Sequence, residues 1–374
     1  MKFNVSSSAL LSALQSISKV IASKNTLPIL DSFLFDLEGE KLTITASDME
    51  TRLVTSVDVV SSAGSGLFAI DAKRLLDPLK ELPEQPLTFD INDDNMIINV
   101  DYENGKFNLP GQRGDTYPQQ RPLKDNAISL KLESQILLNG INRALFATAD
   151  DELRPVMNGV YFDILTGSMT FVASDGHKLV RLRNLSVQSK ERASFILPKK
   201  PANILKNLLA KDTNAVTLVF DENNAYVEMP AFKMVCRLIE GRYPNYDAVI
   251  PSENPNRVTI DRLSFLMALK RVSVFSSQAS GLIKVQLSEN EMIVSAHDID
   301  FSTSAEERIV CQYTETPLNI GFKASNLIDI LTNISSENVV LQLADPARAG
   351  VIVPTENEEN EDLLMLLMPM MLND

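Results

Sequence analysis

One strand-like segment occurs three times in this chain, and that repetition constrains the fold more than any other feature of the sequence. Residues 42–48 read LTITASD, residues 169–175 MTFVASD and residues 292–298 MIVSAHD. Each alternates apolar and polar residues and then stops on aspartate. Period-two alternation marks a half-buried strand, and aspartate is a good turn former after it. The three aspartates, Asp48, Asp175 and Asp298, lie 127 and then 123 residues apart. Solenoid repeats run at roughly 20–50 residues, so units this long are domains in their own right.

Other features recur in the same phase. The stripes Leu10/Leu14/Ile17/Ile21, Ile136/Leu137/Ile141/Ala144 and Leu263/Leu266/Leu269/Val272 open the three units. Each has the spacing of an amphipathic helix face. Further along, Leu75/Leu76/Leu79/Leu82, Ile204/Leu205/Leu208/Leu209 and Leu327/Ile328/Leu331/Ile334 mark a second helix in each unit, directly after a strand. Every unit therefore reads helix, strands, helix, strands, with two helices and about eight short strands per unit. Proline-containing junctions near 117–125 and 244–255 separate them. The expected domains are 1–124, 125–253 and 254–374, all α+β.

Charge narrows the partners. With 35 Lys plus Arg against 49 Asp plus Glu, the net charge is −14, which disfavours a protein coated in basic residues. The cations nonetheless gather on the helices: Lys19, Lys24, Lys73, Arg74, Lys80, Arg143, Lys199, Lys200 and Lys206, with Lys270, Arg271 and Lys323 in the third unit. Acids cluster elsewhere, as at 356–362. By itself the pattern fits ordinary solvated helix faces; the sharper reading is a charge-sorted surface that meets a polyanion. Two cysteines far apart in sequence, Cys236 and Cys311, exclude a disulfide scaffold, and two histidines exclude a His-rich metal site. No cofactor or metal is expected. The N-terminus lacks the apolar core of a signal peptide, and no apolar run reaches membrane-spanning length, so a cytoplasmic protein without membrane contact is expected.

Short motifs then add a resemblance. Met1-Lys-Phe, Thr26-Leu-Pro-Ile-Leu30, Ala173-Ser-Asp-Gly-His-Lys-Leu179, Glu240-Gly-Arg-Tyr-Pro-Asn-Tyr246 and Met368-Pro-Met-Met-Leu372 stand in this order over the whole length. The chain so resembles the bacterial β sliding clamp family, the processivity factors of DNA polymerase III. The resemblance implies three clamp domains per chain, each with two helices packed on antiparallel sheets. It also implies a head-to-tail homodimeric ring with helices lining a central hole. Duplex DNA would be encircled without sequence preference, and partners would be the polymerase III alpha subunit, the clamp loader and other proteins carrying clamp-binding linear motifs. No polymerase, nuclease or ATPase activity is implied, and no phosphate-binding glycine loop is present.

Carried over by position, the DNA-contacting residues are Lys24, Lys73 and Arg154; Lys199 and Lys200 are added from their place at a helix start. Phe107 and Leu109, on an edge strand, would face Val274 and Phe275 of a second copy. The partner-peptide pocket would be lined by Met157, Ser174, Gly176, His177, Lys178, Leu179, Pro244 and Val249, and closed by Met368, Pro369, Met370, Met371 and Leu372. Two positions depart from the family pattern: Met371 and Ala248 stand where relatives carry arginine, and Asn373 and Asp374 extend the tail. Both changes remove cations from the pocket rim and bear on peptide preference. An α+β hydrolase using Ser174, Asp175 and His177 is the alternative. Its weakness is that a triad draws its members from separate elements, whereas these three are nearly contiguous.

Overall fold

A computed structural model of the chain describes residues 1–119, 123–124, 126–211 and 214–372. Asp125, the expected first residue of the second domain, and the extension Asn373 and Asp374 lie outside the described residues.

The six expected helices form. They are α1 (Ser7–Ile17), α2 (Ala72–Lys80), α3 (Ser134–Ala144), α4 (Lys199–Leu209), α5 (Arg262–Ser273) and α6 (Ala324–Thr332). Local chemistry fixes several starts. The Ser6 hydroxyl accepts the Ala9 N–H at 3.1 Å, and the Asp71 and Asp261 carboxylates accept the N–H groups of Arg74 and Ser264 at 2.8 and 2.7 Å. Each satisfies a donor that the first helical turn leaves unpaired. The apolar stripes face inward: Leu10, Leu14, Ile17, Leu137, Ile141, Leu269 and Leu331 are fully buried. Ile21, Leu82 and Ile334 fall just past their helix ends, where the chain has already turned. Leu263 departs further and is exposed.

The chain divides into two compact units. The first comprises residues 1–135 and 203–238 and is built on a thirteen-stranded sheet. Within it, Thr51–Asp58 is hydrogen-bonded on one side to its hairpin partner Lys41–Ser47 and on the other to Phe232–Arg237, with Thr51 opposite Cys236. Stacked phenylalanines fill the core: Phe3 lies 4.9 Å from Phe89, and Phe35 lies 5.2 Å from Phe68, centroid to centroid.

The second unit comprises residues 136–202 and 239–374. Its eight-stranded sheet repeats the same junction: Lys178–Asn184 pairs with the hairpin strand Ser168–Ser174 and also with Glu361–Leu367, Lys178 standing opposite Leu367. A separate four-stranded sheet runs in the order Thr303–Val310, Glu291–Asp298, Leu282–Ser288, Leu318–Lys323. Phe162 packs against Phe171 and Phe195 at 4.9 and 4.4 Å. Gly140 of α3 sits so close to Phe171 that a Cβ there would lie 2.4 Å from the ring.

Alanine is the better helix former by about 1 kcal/mol, yet here it would overpack the core at a typical cost of about 1–3 kcal/mol. Gly140→Ala is therefore expected to lower stability in denaturant unfolding; a variant more stable than the parent would contradict this packing.

Candidate functional site

The repeated aspartate is a turn residue in all three copies. Asp48 Oδ1 accepts the N–H groups of Glu50 and Thr51 at 2.7 and 2.6 Å, Asp175 Oδ1 those of His177 and Lys178 at 2.8 and 2.9 Å, and Asp298 Oδ1 those of Asp300 and Phe301 at 3.0 and 3.3 Å. Ser174 Oγ donates to the Lys178 carbonyl at 2.8 Å and accepts from Gly176 N at 3.1 Å; Ser47 Oγ donates likewise to the Thr51 carbonyl. The Ser174, Asp175 and His177 of the hydrolase reading are thus engaged in closing a turn, with the aspartate on backbone donors and not on the imidazole.

In the second copy this turn is the centre of a larger arrangement. Gly176 takes φ +92°, a backbone conformation that suits glycine, and a Cβ there would meet the Arg154 guanidinium at 3.1 Å. Arg154 Nε also binds Asp151 at 2.8 Å. Leu179, just beyond the turn, is buried with Tyr243, Tyr246 and Leu366, and Val156 and Ile250 pack against that cluster. Tyr161 stacks on Tyr243 at 4.6 Å, and the Tyr246 hydroxyl donates to Asp163 at 2.8 Å. Burial raises the Tyr246 hydroxyl pKa, and the Asp163 contact raises it further. The phenol therefore stays protonated as a donor.

Residues 368–372 dock on the same turn. After Glu361–Leu367 the Met368 N–H donates to the His177 carbonyl at 2.8 Å, and the Met370 N–H to the Gly321 carbonyl at 2.8 Å. Leu372 covers Gly321, where a Cβ would clash with the Met370 carbonyl and the Leu372 side chain. Met157 is buried below, while Pro244, Val249, Met368 and Met371 stay exposed. An apolar ledge this exposed beside a rigid turn is what a short peptide with apolar anchors requires.

Lys178 is not a rim cation. Its ammonium is buried between Asp175 Oδ2 at 3.1 Å and Asp329 Oδ2 at 3.5 Å, and it donates to Asn326 Oδ1 at 3.2 Å, tying the turn to α6. Burial would raise the Asp175 pKa, but the Lys178 and His177 N–H groups and the Lys178 ammonium outweigh it and hold the carboxyl below its ordinary range. Reading the sequence did not single out Tyr161, Tyr243 and Tyr246 as the floor, nor Asp329 as the lysine's partner. The GRYPNY motif carried two of these tyrosines; Asp329 had no sequence signal.

The expected cationic residues are dispersed. Lys24 and Lys73 are exposed, the latter in the first turn of α2. Lys199 and Lys200 begin α4, and Lys199 pairs with Asp150 at 2.7 Å. Arg143, counted among the helix cations, is instead largely buried: it binds the Asn333 carbonyl, Ser335 and Glu358. Phe107 and Leu109 are half-buried, and Val274 and Phe275 exposed. Cys236 is fully buried, and that burial pushes its thiol up to about 12. Among the described residues no helix is long and apolar enough to cross a membrane.

A protein built of three like α+β domains, with its tail folded back onto a turn of the second, is the architecture of a DNA polymerase clamp subunit. The chain belongs to the DNA polymerase III beta subunit family: the family's N-terminal domain matches residues 1–121, its central domain 131–245 and its C-terminal domain 247–371. It is 28% identical over 376 residues to the beta sliding clamp of Pseudomonas putida, each chain covered in full, and 27% identical to that of Haemophilus influenzae, again in full. A crystal structure of the Pseudomonas aeruginosa sliding clamp bound to griselimycin matches with a TM-score of 0.94 at 27% identity, with both chains covered completely.

Since the Asp175 pKa is depressed in the fold, its stabilisation is present above the ordinary value of 3.8 and lost as pH falls through the lower folded value. Asp175→Asn is expected to be less stable than the parent in urea at pH 7, with the gap narrowing as the pH falls below 3.8. A gap that stays the same size at every pH below 3.8 would contradict the assignment.

Proposed function

We propose that the chain is a DNA sliding clamp. Two copies joined head to tail encircle duplex DNA and tether the replicative polymerase and other motif-bearing proteins. The domains 1–124, 125–253 and 254–374 are its working units, and the protein acts in the cytoplasm as a non-catalytic accessory subunit. The observation that carries this reading is the full-length, three-domain family match, joined to an apolar tail docked on the 174–179 turn.

In this reading the peptide site is the ledge formed by Leu179, Pro244, Val249 and 368–372, with Met157, Ser174, Gly176, His177 and Lys178 supporting it. Its ligands are linear segments with leucine and aromatic anchors, such as those of the polymerase III alpha subunit and the clamp loader. Methionine-rich walls adapt to varied side chains. With Ala248 and Met371 on the rim and Lys178 buried in its own ion pairs, peptide affinity should depend only weakly on salt.

The DNA-facing cations are Lys24, Lys73, Arg154, Lys199 and Lys200. Three of them occupy first turns of helices, where a positive charge opposes the helix dipole by roughly 0.3–1 kcal/mol. Helix stability alone therefore does not account for their placement; Lys199 is also held by Asp150, and attraction to phosphate is the role this reading gives the set. Such contacts are sequence-independent and salt-sensitive, as sliding requires.

Deleting residues 368–374 should leave a dimer that binds a peptide with leucine and phenylalanine anchors roughly 10- to 100-fold more weakly by isothermal titration. That loss corresponds to about 1.5–3 kcal/mol for one buried anchor. Equal affinity in both proteins would rule the tail out as a pocket wall. Replacing Val274 and Phe275 together with aspartate should give monomers in sedimentation. An undisturbed dimer would remove those residues from the interface.

A further inference from the structure

The walls of the ledge stand on two different sheets, so their separation is set by whatever joins those sheets. The 174–178 turn links two strands of the eight-stranded sheet, and Glu361–Leu367 lies beside it, with Lys178 opposite Leu367. Leu318–Lys323 is an edge strand of the four-stranded sheet. The tail runs from one to the other: the His177 carbonyl accepts the Met368 N–H and the Gly321 carbonyl accepts the Met370 N–H, each at 2.8 Å. Among the described residues, the tail backbone meets the four-stranded sheet at a single β-bridge, Gly321 with Met370. One hydrogen bond contributes little net stability, so a second tie between the two sheets matters.

Lys178 supplies that tie. Its backbone closes its own turn, the N–H donating to Asp175 Oδ1 at 2.9 Å and the carbonyl accepting from Ser174 Oγ at 2.8 Å. Its side chain leaves the turn and reaches α6, the helix that starts directly after Leu318–Lys323. There the ammonium lies 3.5 Å from Asp329 Oδ2 and 3.2 Å from Asn326 Oδ1, with Asp175 Oδ2 at 3.1 Å. A circuit closes from turn to tail, to Leu318–Lys323, to α6, to Lys178 and back to the turn. The lysine side chain is buried, whereas that of Asp329 is half-exposed. A buried charge is costly unless paired, so the ammonium follows its carboxylates. Neutralising Asp329 leaves Asp175 as its anion, draws it toward the turn and releases α6.

We propose that Asp329 is a positioning residue for the peptide ledge: through the Lys178 ammonium it holds α6, and with α6 the Gly321 anchor of the tail, at a fixed distance from the 174–178 turn. This rests on the peptide-site reading and deepens it by a residue that acts on the ledge from behind. Position and charge make different demands here. Acting as a distant charge, the Asp329 carboxylate would repel an acidic peptide, attract a basic one and ignore an uncharged one. Acting through position, its loss weakens all three alike, because a leucine or phenylalanine anchor depends on close packing against both walls.

Isothermal titration of an uncharged peptide with leucine and phenylalanine anchors tests this in the full chain. Asp329→Asn should bind roughly tenfold more weakly than the parent, and Lys178→Met should lose a similar factor, as residues coupled in one ion-pair network do. The double variant should bind no more weakly than either single one. Acidic and basic versions of the peptide should lose the same factor. In chains lacking 368–374, where no tail remains to be positioned, Asp329→Asn should change nothing further. In hydrogen exchange the Met370 amide of Asp329→Asn should exchange faster, while the amides of Lys178–Asn184 keep the parent's rates. Parent affinity in Asp329→Asn, an additive double variant, a loss that changes sign with peptide charge, or an equal loss in the tail-less chain overturns the positioning role and leaves the peptide site standing. Uniformly faster exchange, or loss of the fold, makes Asp329 a residue of general stability and overturns the role as well. A parent chain that does not bind the peptide overturns the peptide-site reading itself.

Discussion

The structure depends on one kind of backbone contact: the strand that follows the first and the second aspartate turn is hydrogen-bonded along its outer edge by a strand from the end of the next repeat. This pairing carries the thirteen-stranded and eight-stranded sheets across repeat boundaries. A sheet edge is a row of unpaired donors and acceptors, and continuing the sheet removes it. The same contact sets the candidate site, because Glu361–Leu367 must lie along Lys178–Asn184 for the following residues to reach His177 and Gly321. The apolar ledge is thus a by-product of how two repeats are joined, sharpened by a tail that happens to be apolar.

Charge is sorted by the same logic. Lys178 is placed at the first residue of its strand by the Asp175 turn, and burial there obliges it to take Asp175, Asp329 and Asn326 as partners. A buried ammonium without such partners would be costly, so the turn and α6 are held as one piece. Arg143 works similarly with Asn333, Ser335 and Glu358. Arg143 was visible in the sequence only as a positive charge, and Lys178 only as a pocket residue implied by the resemblance; their partners lie 148 residues or more away, or across a turn, and no local pattern reports such distances.

Periodicity made the fold legible to a large extent. The three LTITASD-like segments became strands within a residue of where alternation began and ended, and every apolar stripe became a helix, because both signals are local. Helix ends were less legible: Ile21, Leu82 and Ile334 keep the apolar spacing after the backbone has left the helix, since burial does not require helicity. The turn role of Asp175 followed from its recurrence at Asp48 and Asp298. Tyr243 and Tyr246 could not be placed under Leu179 from spacing alone, since that contact is between distant segments. Leu263 shows the limit of spacing: its place in the stripe is right for a core, yet it is exposed, and a single exposed leucine on a helix is ordinary.

The central claim is that the protein holds DNA by enclosing it. The most direct measurement loads the chain onto a nicked circular duplex, washes it in high salt, and then linearises the circle. Enclosure predicts retention through the wash, since topology outlasts screened phosphate contacts, and prompt release once ends are created. Loss during the wash, or retention on the linear duplex after cutting, would contradict it.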